Sequence, residues 1–120
     1  MIMNKKILIV DDEADVCESI GNFLRRRDYK VAIAVGGREA IDILNQETFP
    51  VVLLDLKMPM VDGWTVLQET RSNHPETKYI VVSGLDENGM EERCREAGAH
   101  DFIVKPIRVK AIYELLEKLY

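Results

Sequence analysis

Short apolar runs alternate with longer amphipathic stretches along the whole chain. Lys6-Ile7-Leu8-Ile9-Val10 is rich in β-branched residues and runs into three acids, Asp11, Asp12 and Glu13. Val16, Ile20, Phe23 and Leu24 then recur at the spacing of one helix face. Val31-Ala32-Ile33-Ala34-Val35 is a second strand, stopped by Gly36-Gly37, and Ala40, Ile41 and Leu44 mark the next helix. Val51-Val52-Leu53-Leu54 ends at Asp55, and the loop from Lys57 to Gly63 leads into a helix carrying Val66 and Leu67. Tyr79-Ile80-Val81-Val82 ends at Ser83-Gly84. Met90, Cys94 and Ala97 mark a helix that Gly98 closes. Phe102-Ile103-Val104 ends at Lys105-Pro106, and Val109, Ile112, Leu116 and Leu119 form a last apolar stripe.

The pattern predicts five βα units in a row. The strands read as nearly continuous apolar runs, as strands buried on both faces do, which predicts a parallel sheet with helices on each side. Right-handed crossovers then favour a doubly wound, five-stranded α/β sheet. No linker, repeat or low-complexity stretch interrupts residues 1–120, so the expectation is one domain with no output domain attached.

Composition narrows the function classes. The formal net charge is −5, and the only basic cluster, Arg25-Arg26-Arg27, falls at a helix end where cations suit the macrodipole. Direct nucleic-acid binding is therefore not expected. Cys17 and Cys94 lie far apart inside helices, with no metal-ligand spacing to His74 or His100, and read as small helix residues of a reducing compartment. The histidines read as surface or loop positions. No signal peptide or membrane span is legible, so the expected location is cytoplasmic.

In an open parallel sheet, ligands bind beyond the carboxyl ends of the strands. Four of the five ends carry polar chemistry: Asp11-Asp12-Glu13, Asp55, Ser83 and Lys105. Each alone has a plainer reading. Asp12 would cap the first helix with Asp15 as its partner, Asp55 and Ser83-Gly84 would be turns, and Lys105-Pro106 would lead into a helix. Together they predict one site. Asp11, Asp12 and Asp55 form an acidic cluster that needs a cation or a shifted pKa, and hard oxygen donors suit Mg²⁺. A divalent ion and Lys105 would balance the three carboxylates and stabilise a phosphoryl group on Asp55. The Ser83 hydroxyl would donate to that group, and Gly84 would leave it room. The chemistry is phosphoryl transfer to a carboxylate nucleophile.

Ile9-Val10-Asp11-Asp12-Glu13, Asp55-Leu56-Lys57-Met58-Pro59, Asp62-Gly63, Val82-Ser83-Gly84, Ala97-Gly98-Ala99 and Phe102-Ile103-Val104-Lys105-Pro106, in that order, resemble the receiver domains of two-component response regulators. The resemblance covers essentially the whole chain. It implies a flavodoxin-like (βα)5 fold with strand order 2-1-3-4-5. It implies phosphorylation of Asp55 by a phosphohistidine of a sensor histidine kinase or His-phosphotransfer protein. Mg²⁺, with Mn²⁺ as a substitute, would bind Asp12, Asp55 and the backbone carbonyl of Lys57 directly, and Asp11 mainly through water. Lys105 would pair with the phosphoryl group. Ser83 would move toward it, and Phe102 would turn inward behind Ser83. Pro59 and Gly63 would shape the loop, and the Lys105–Pro106 bond would be cis. The first helix and the loop after Lys105-Pro106-Ile107 would dock the kinase. The surface of the fourth helix, fifth strand and fifth helix would reach a downstream protein or linked output domain, with Met90, Arg93, His100, Lys110 and Tyr113 as exposed candidates. Phosphorylation-dependent dimerisation through that surface stays open. The implied protein is a switch of the chemotaxis or sporulation-relay kind and not an enzyme with an external substrate, apart from slow self-dephosphorylation. Ser83 stands where Thr is common, and Lys57 stands at a position that tunes phosphoryl lifetime.

Three rivals share parts of this pattern. A flavin-binding carrier needs a phosphate loop after the first strand, where Asp11-Asp12-Glu13 would repel phosphate. A metal-dependent phosphatase needs a second acid soon after the nucleophile, where Lys57 stands. A constitutive docking module of the same fold would be expected to lack Asp55, Lys105 or the acidic pair, and none is missing.

Overall fold

A computed structural model of the chain describes residues 5–84, 89–106 and 108–120. The elements alternate as β1 (Lys6–Asp11), α1 (Ala14–Arg25), β2 (Lys30–Val35), α2 (Gly37–Leu44), β3 (Val51–Asp55), α3 (Gly63–Thr70), β4 (Lys78–Ser83), α4 (Met90–Glu96), β5 (Asp101–Val104) and α5 (Val109–Leu119). All strand pairs are parallel, as the pattern predicts for a doubly wound sheet, and the order is β2-β1-β3-β4-β5, as the family resemblance implies.

Alternation along the strands divides the core in two. Ile7, Ile9, Leu53, Ile80 and Val82 pack with Cys17 and Leu24 of α1 and with Ile112 and Leu116 of α5. Leu8, Val10, Val52, Leu54 and Val81 face the other way, onto Ala40, Ile41 and Leu44 of α2, Val66 and Leu67 of α3, and Cys94 of α4. β3 is buried throughout, and β1 and β4 are buried after their first residue. The edge strands β2 and β5 are only partly covered, so continuous burial holds for the centre of the sheet alone.

Several local expectations change. Glu13, not Asp12, is the N-cap residue of α1, and its side chain makes no cap bond. Its backbone N–H instead donates to Asp11 Oδ1 at 3.0 Å. His74 is buried, not on the surface: Leu44 O accepts from its Nε2 at 2.7 Å, because a carbonyl cannot donate. Tyr113 is half-buried against Phe23 and Tyr29, with Arg27 over its ring, and so faces α1. The arginine cluster sits at the end of α1 and is used internally. Arg25 donates to Val31 O, and Arg27 donates to Phe23 O while stacking 3.5 Å from the centre of that ring.

Candidate functional site

The parallel register aligns the strand ends. Asp11 pairs with Val35, Asp55 with Val82, and Ser83 with Val104, so Asp11, Asp55, Ser83 and Lys105 come to one edge of the sheet. Side-chain alternation then sorts them. Asp11 continues the Ile7–Ile9 row and Asp55 the Val51–Leu53 row, both on the face that carries α1 and α5. Ser83 continues the Tyr79–Val81 row on the opposite face, the same face as Phe102.

Carboxylate oxygens of Asp11, Asp12 and Asp55 lie within 4.8 Å of one another. Asp11 and Asp55 are buried and Asp12 is exposed, so the cluster opens to solvent on one side. Lys105 Nζ reaches Asp55 Oδ1 at 3.5 Å, with the Asp55 side chain 6% exposed. Burial pushes the Asp55 carboxyl up from its ordinary 3.8 to about 6, and the neighbouring Asp11 charge adds to the rise. Lys105 and the backbone N–H of Lys57 hold it from rising further. Excess negative charge thus persists with Lys105 in place. Three hard oxygen donors with an open side suit a divalent cation, which would relieve it.

The backbone around Asp55 is tightly specified. Leu56 N–H donates to Val82 O, and Gly63 N–H donates to Leu56 O, both at 2.9 Å. A Cβ on Gly63 would lie 2.2 Å from Asp55 O, so only glycine lets the start of α3 approach this closely. Asp62 caps α3 by accepting from Thr65 N–H at 2.9 Å. Pro59 is exposed in the same loop. The Lys105–Pro106 peptide bond is cis. Ser83 is 1% exposed, and a Cβ on Gly84 would meet no atom of the described residues within 4 Å. Phe102 is already inside, 7% exposed, in the cluster with Val81 and Cys94.

A groove of about 630 Å³ opens from this site between α1 and α5, lined by Asp15, Val16, Ser19 and Ile20 on one side and Pro106, Val109 and Ile112 on the other. It follows from the amphipathic faces but had no signal of its own in the sequence, since it is a gap between two helices. Ile107, named with the expected docking loop, lies outside the described residues. Of the expected output-surface residues, Arg93, His100 and Lys110 are exposed and Met90 is half-buried. No helix among the described residues is long and apolar enough to cross a membrane.

A family model described as the response regulator receiver domain matches residues 7–117. The chain is 34% identical to a chemotaxis protein CheY from Thermotoga maritima over 118 residues, covering 98% of each. It superposes with a TM-score of 0.90 on a CheY-like receiver domain protein from Methanospirillum hungatei, at 31% identity, covering 98% of this chain and 94% of that one. It superposes with a TM-score of 0.83 on the response regulator TrrA from Thermotoga maritima, solved in complex with Mg²⁺-BeF, at 28% identity, covering 97% and 99%. With the strand order, the acidic cluster and the family match on nearly all its length, the chain belongs to the response regulator receiver domain family, the aspartyl-phosphorylation switches of two-component signalling.

Proposed function

We propose that Asp55 is the phosphoryl acceptor of this switch and that the metal it uses is Mg²⁺, with Mn²⁺ as a substitute. The observation that carries this reading is a buried Asp55 flanked by two further carboxylates within 4.8 Å and by Lys105 at 3.5 Å. Asp11, Asp12, Asp55 and the carbonyl of Lys57 would hold the ion. When bound, it supplies positive charge that offsets the carboxylates and the phosphoryl oxygens.

An Asp55 carboxylate oxygen forms the bond to phosphorus as the P–N bond of a donor phosphohistidine breaks, and the imidazole departs with the electron pair. Lys105 pairs with a phosphoryl oxygen, the Ser83 hydroxyl donates to another, and Gly84 keeps the entrance open. Ser83 and Phe102 share a sheet face, so displacement of Ser83 is felt at the ring and at α4 packed beside it. Slow self-dephosphorylation resets the switch. The donor is a histidine kinase or His-phosphotransfer protein, which docks on α1 beside the groove that opens from the site. The α4–β5–α5 surface, with Arg93, His100 and Lys110 exposed, addresses a downstream protein, a linked output domain or a second phosphorylated copy. The chain acts as a single receiver domain in the cytoplasm, without direct contact with nucleic acid or membrane.

Incubation with Mg²⁺ and acetyl phosphate, followed by intact mass, tests the assignment. The expected result is a gain of one phosphoryl group, absent in Asp55→Asn and in the presence of chelator. A gain that survives Asp55→Asn places the acceptor elsewhere. No gain, with the donor shown competent on another receiver, favours the phosphorylation-independent docking module.

A further inference from the structure

Two features of the loop after β3 have no part in the chemistry at Asp55. Met60 is fully exposed, at 102%, and its backbone is held at φ +67°. Both are unfavourable for this residue. The left-handed conformation crowds its Cβ, and its thioether covers nothing. Glycine or asparagine would take the same φ with less strain.

Beside it lies a groove of about 490 Å³, lined by Lys57, Pro59, Asp62, Trp64 of α3 and Met90 of α4. Pro59 and Asp62 flank Met60 in the loop. Trp64 is half-buried, and the Arg93 guanidinium sits 5.2 Å from the centre of its ring. Neither Lys57 nor Arg93 makes an ion pair among the described residues. The Asp62 carboxylate is engaged at the start of α3. Glu91, on α4, is tied to Arg95 at 3.1 Å. Tryptophan, methionine and arginine are the types enriched where proteins meet, and methionine adapts to varied shapes.

We propose that the groove between the β3–α3 loop and α4 docks a segment of another protein carrying a large apolar side chain next to a carboxylate. The apolar side chain covers Met60 and enters between Trp64 and Met90, and the carboxylate meets Lys57 and Arg93. Charge decides the partner's sign. The chain carries −5 overall and its strand-end rim is acidic, whereas Lys57 in this groove and Arg93 over its Trp64 make no ion pair among the described residues. It lies on the α3–α4 side of the sheet, apart from the groove between α1 and α5.

Selection of a phage-displayed random peptide library on the unphosphorylated full chain tests this, and keeps the outcome separate from that of the donor experiment. Trp64 is the only tryptophan, so its emission reports binding directly. The expected peptides pair a large apolar residue with Asp or Glu, shift Trp64 emission saturably, and bind about tenfold more weakly to Met60→Asn and to Arg93→Glu. Met60→Asn is expected to melt no lower than the parent, which separates lost contact from lost fold. Enrichment of no peptide, of basic peptides, or of peptides indifferent to both substitutions overturns the proposal. So does a concentration-dependent dimer abolished by Met60→Asn, since the occupant would then be a second copy of this chain.

Discussion

Asp55 is held in a conflict that its position imposes. It ends a fully buried strand beside Asp11, and its carboxyl is raised to about 6. Between about pH 4 and 6 the folded, metal-free protein therefore keeps a proton that the unfolded chain has lost. The ionised group destabilises the fold by nothing below about pH 4, by an increasing amount up to about 6, and fully above that. Asp55→Asn removes the charge. It is expected to raise the stability of chelator-treated protein by on the order of 1–3 kcal/mol near pH 7.5 and to change it little near pH 4. Urea unfolding of both proteins at the two pH values measures this; a variant less stable than its parent near pH 7.5 contradicts the electrostatic account. Saturating Mg²⁺ should narrow the gap, because an ion bound only to the folded state stabilises the parent by mass action.

Between elements, the approach of α3 to β3 sets the geometry of the acceptor, and Gly63 permits it. An alanine there would drive its Cβ to 2.2 Å from Asp55 O and 2.8 Å from the Leu56 Cα, both backbone atoms that cannot step aside. Gly63→Ala is expected to destabilise by about 2–3 kcal/mol and to slow phosphorylation by moving Asp55. Gly21, inside α1, is the contrast. Its added Cβ would make ordinary contacts of 3.4–3.5 Å with Val31, Arg25 and Ile33, so Gly21→Ala should be neutral or stabilise by up to about 1 kcal/mol. Thermal melting of the pair shows a loss for Gly63→Ala and none for Gly21→Ala if packing, and not glycine content, is what matters. The motif Asp62-Gly63 was legible in the sequence. That its glycine touches the acceptor's own carbonyl was not, because the contact depends on how α3 leaves the loop.

The whole molecule is a sheet shared by two separate cores, and the buried cysteines report on one each. Cys17 lies under the α1 side, where burial and Asp11 push its thiol up to about 11. Cys94 lies on the other side, in the seven-residue helix α4 that packs on the edge strand β5. A short helix at a sheet edge opens more readily than one spanning the centre. Cys94 is therefore expected to react with a disulfide reagent at least about tenfold faster than Cys17, and with weaker dependence on denaturant. Equal rates would mean that α4 opens only with the whole domain, and would remove the mobility on which a switch through α4 depends.

Apolar periodicity by itself determined the order of elements, the parallel sheet and the four strand ends that carry chemistry, because strand burial and helix amphipathicity are written residue by residue. Those ends pointed to the acidic cluster and to Lys105 before any distance was known. Local pattern could not say that Glu13 and not Asp12 is the N-cap of α1, where the Asp11 side chain accepts from the Glu13 backbone N–H. Nor could it bury His74, whose partner Leu44 O is supplied by a segment thirty residues earlier. It read Tyr113 as exposed when α1 covers it. The grooves beside Lys105 and beside Trp64 are spaces between elements far apart in the chain, and the exposure of Met60 depends on what the rest of the fold leaves uncovered. The sequence encodes each residue's chemistry, but which residues become neighbours, and which are left without one, is decided only when the helices close on the sheet.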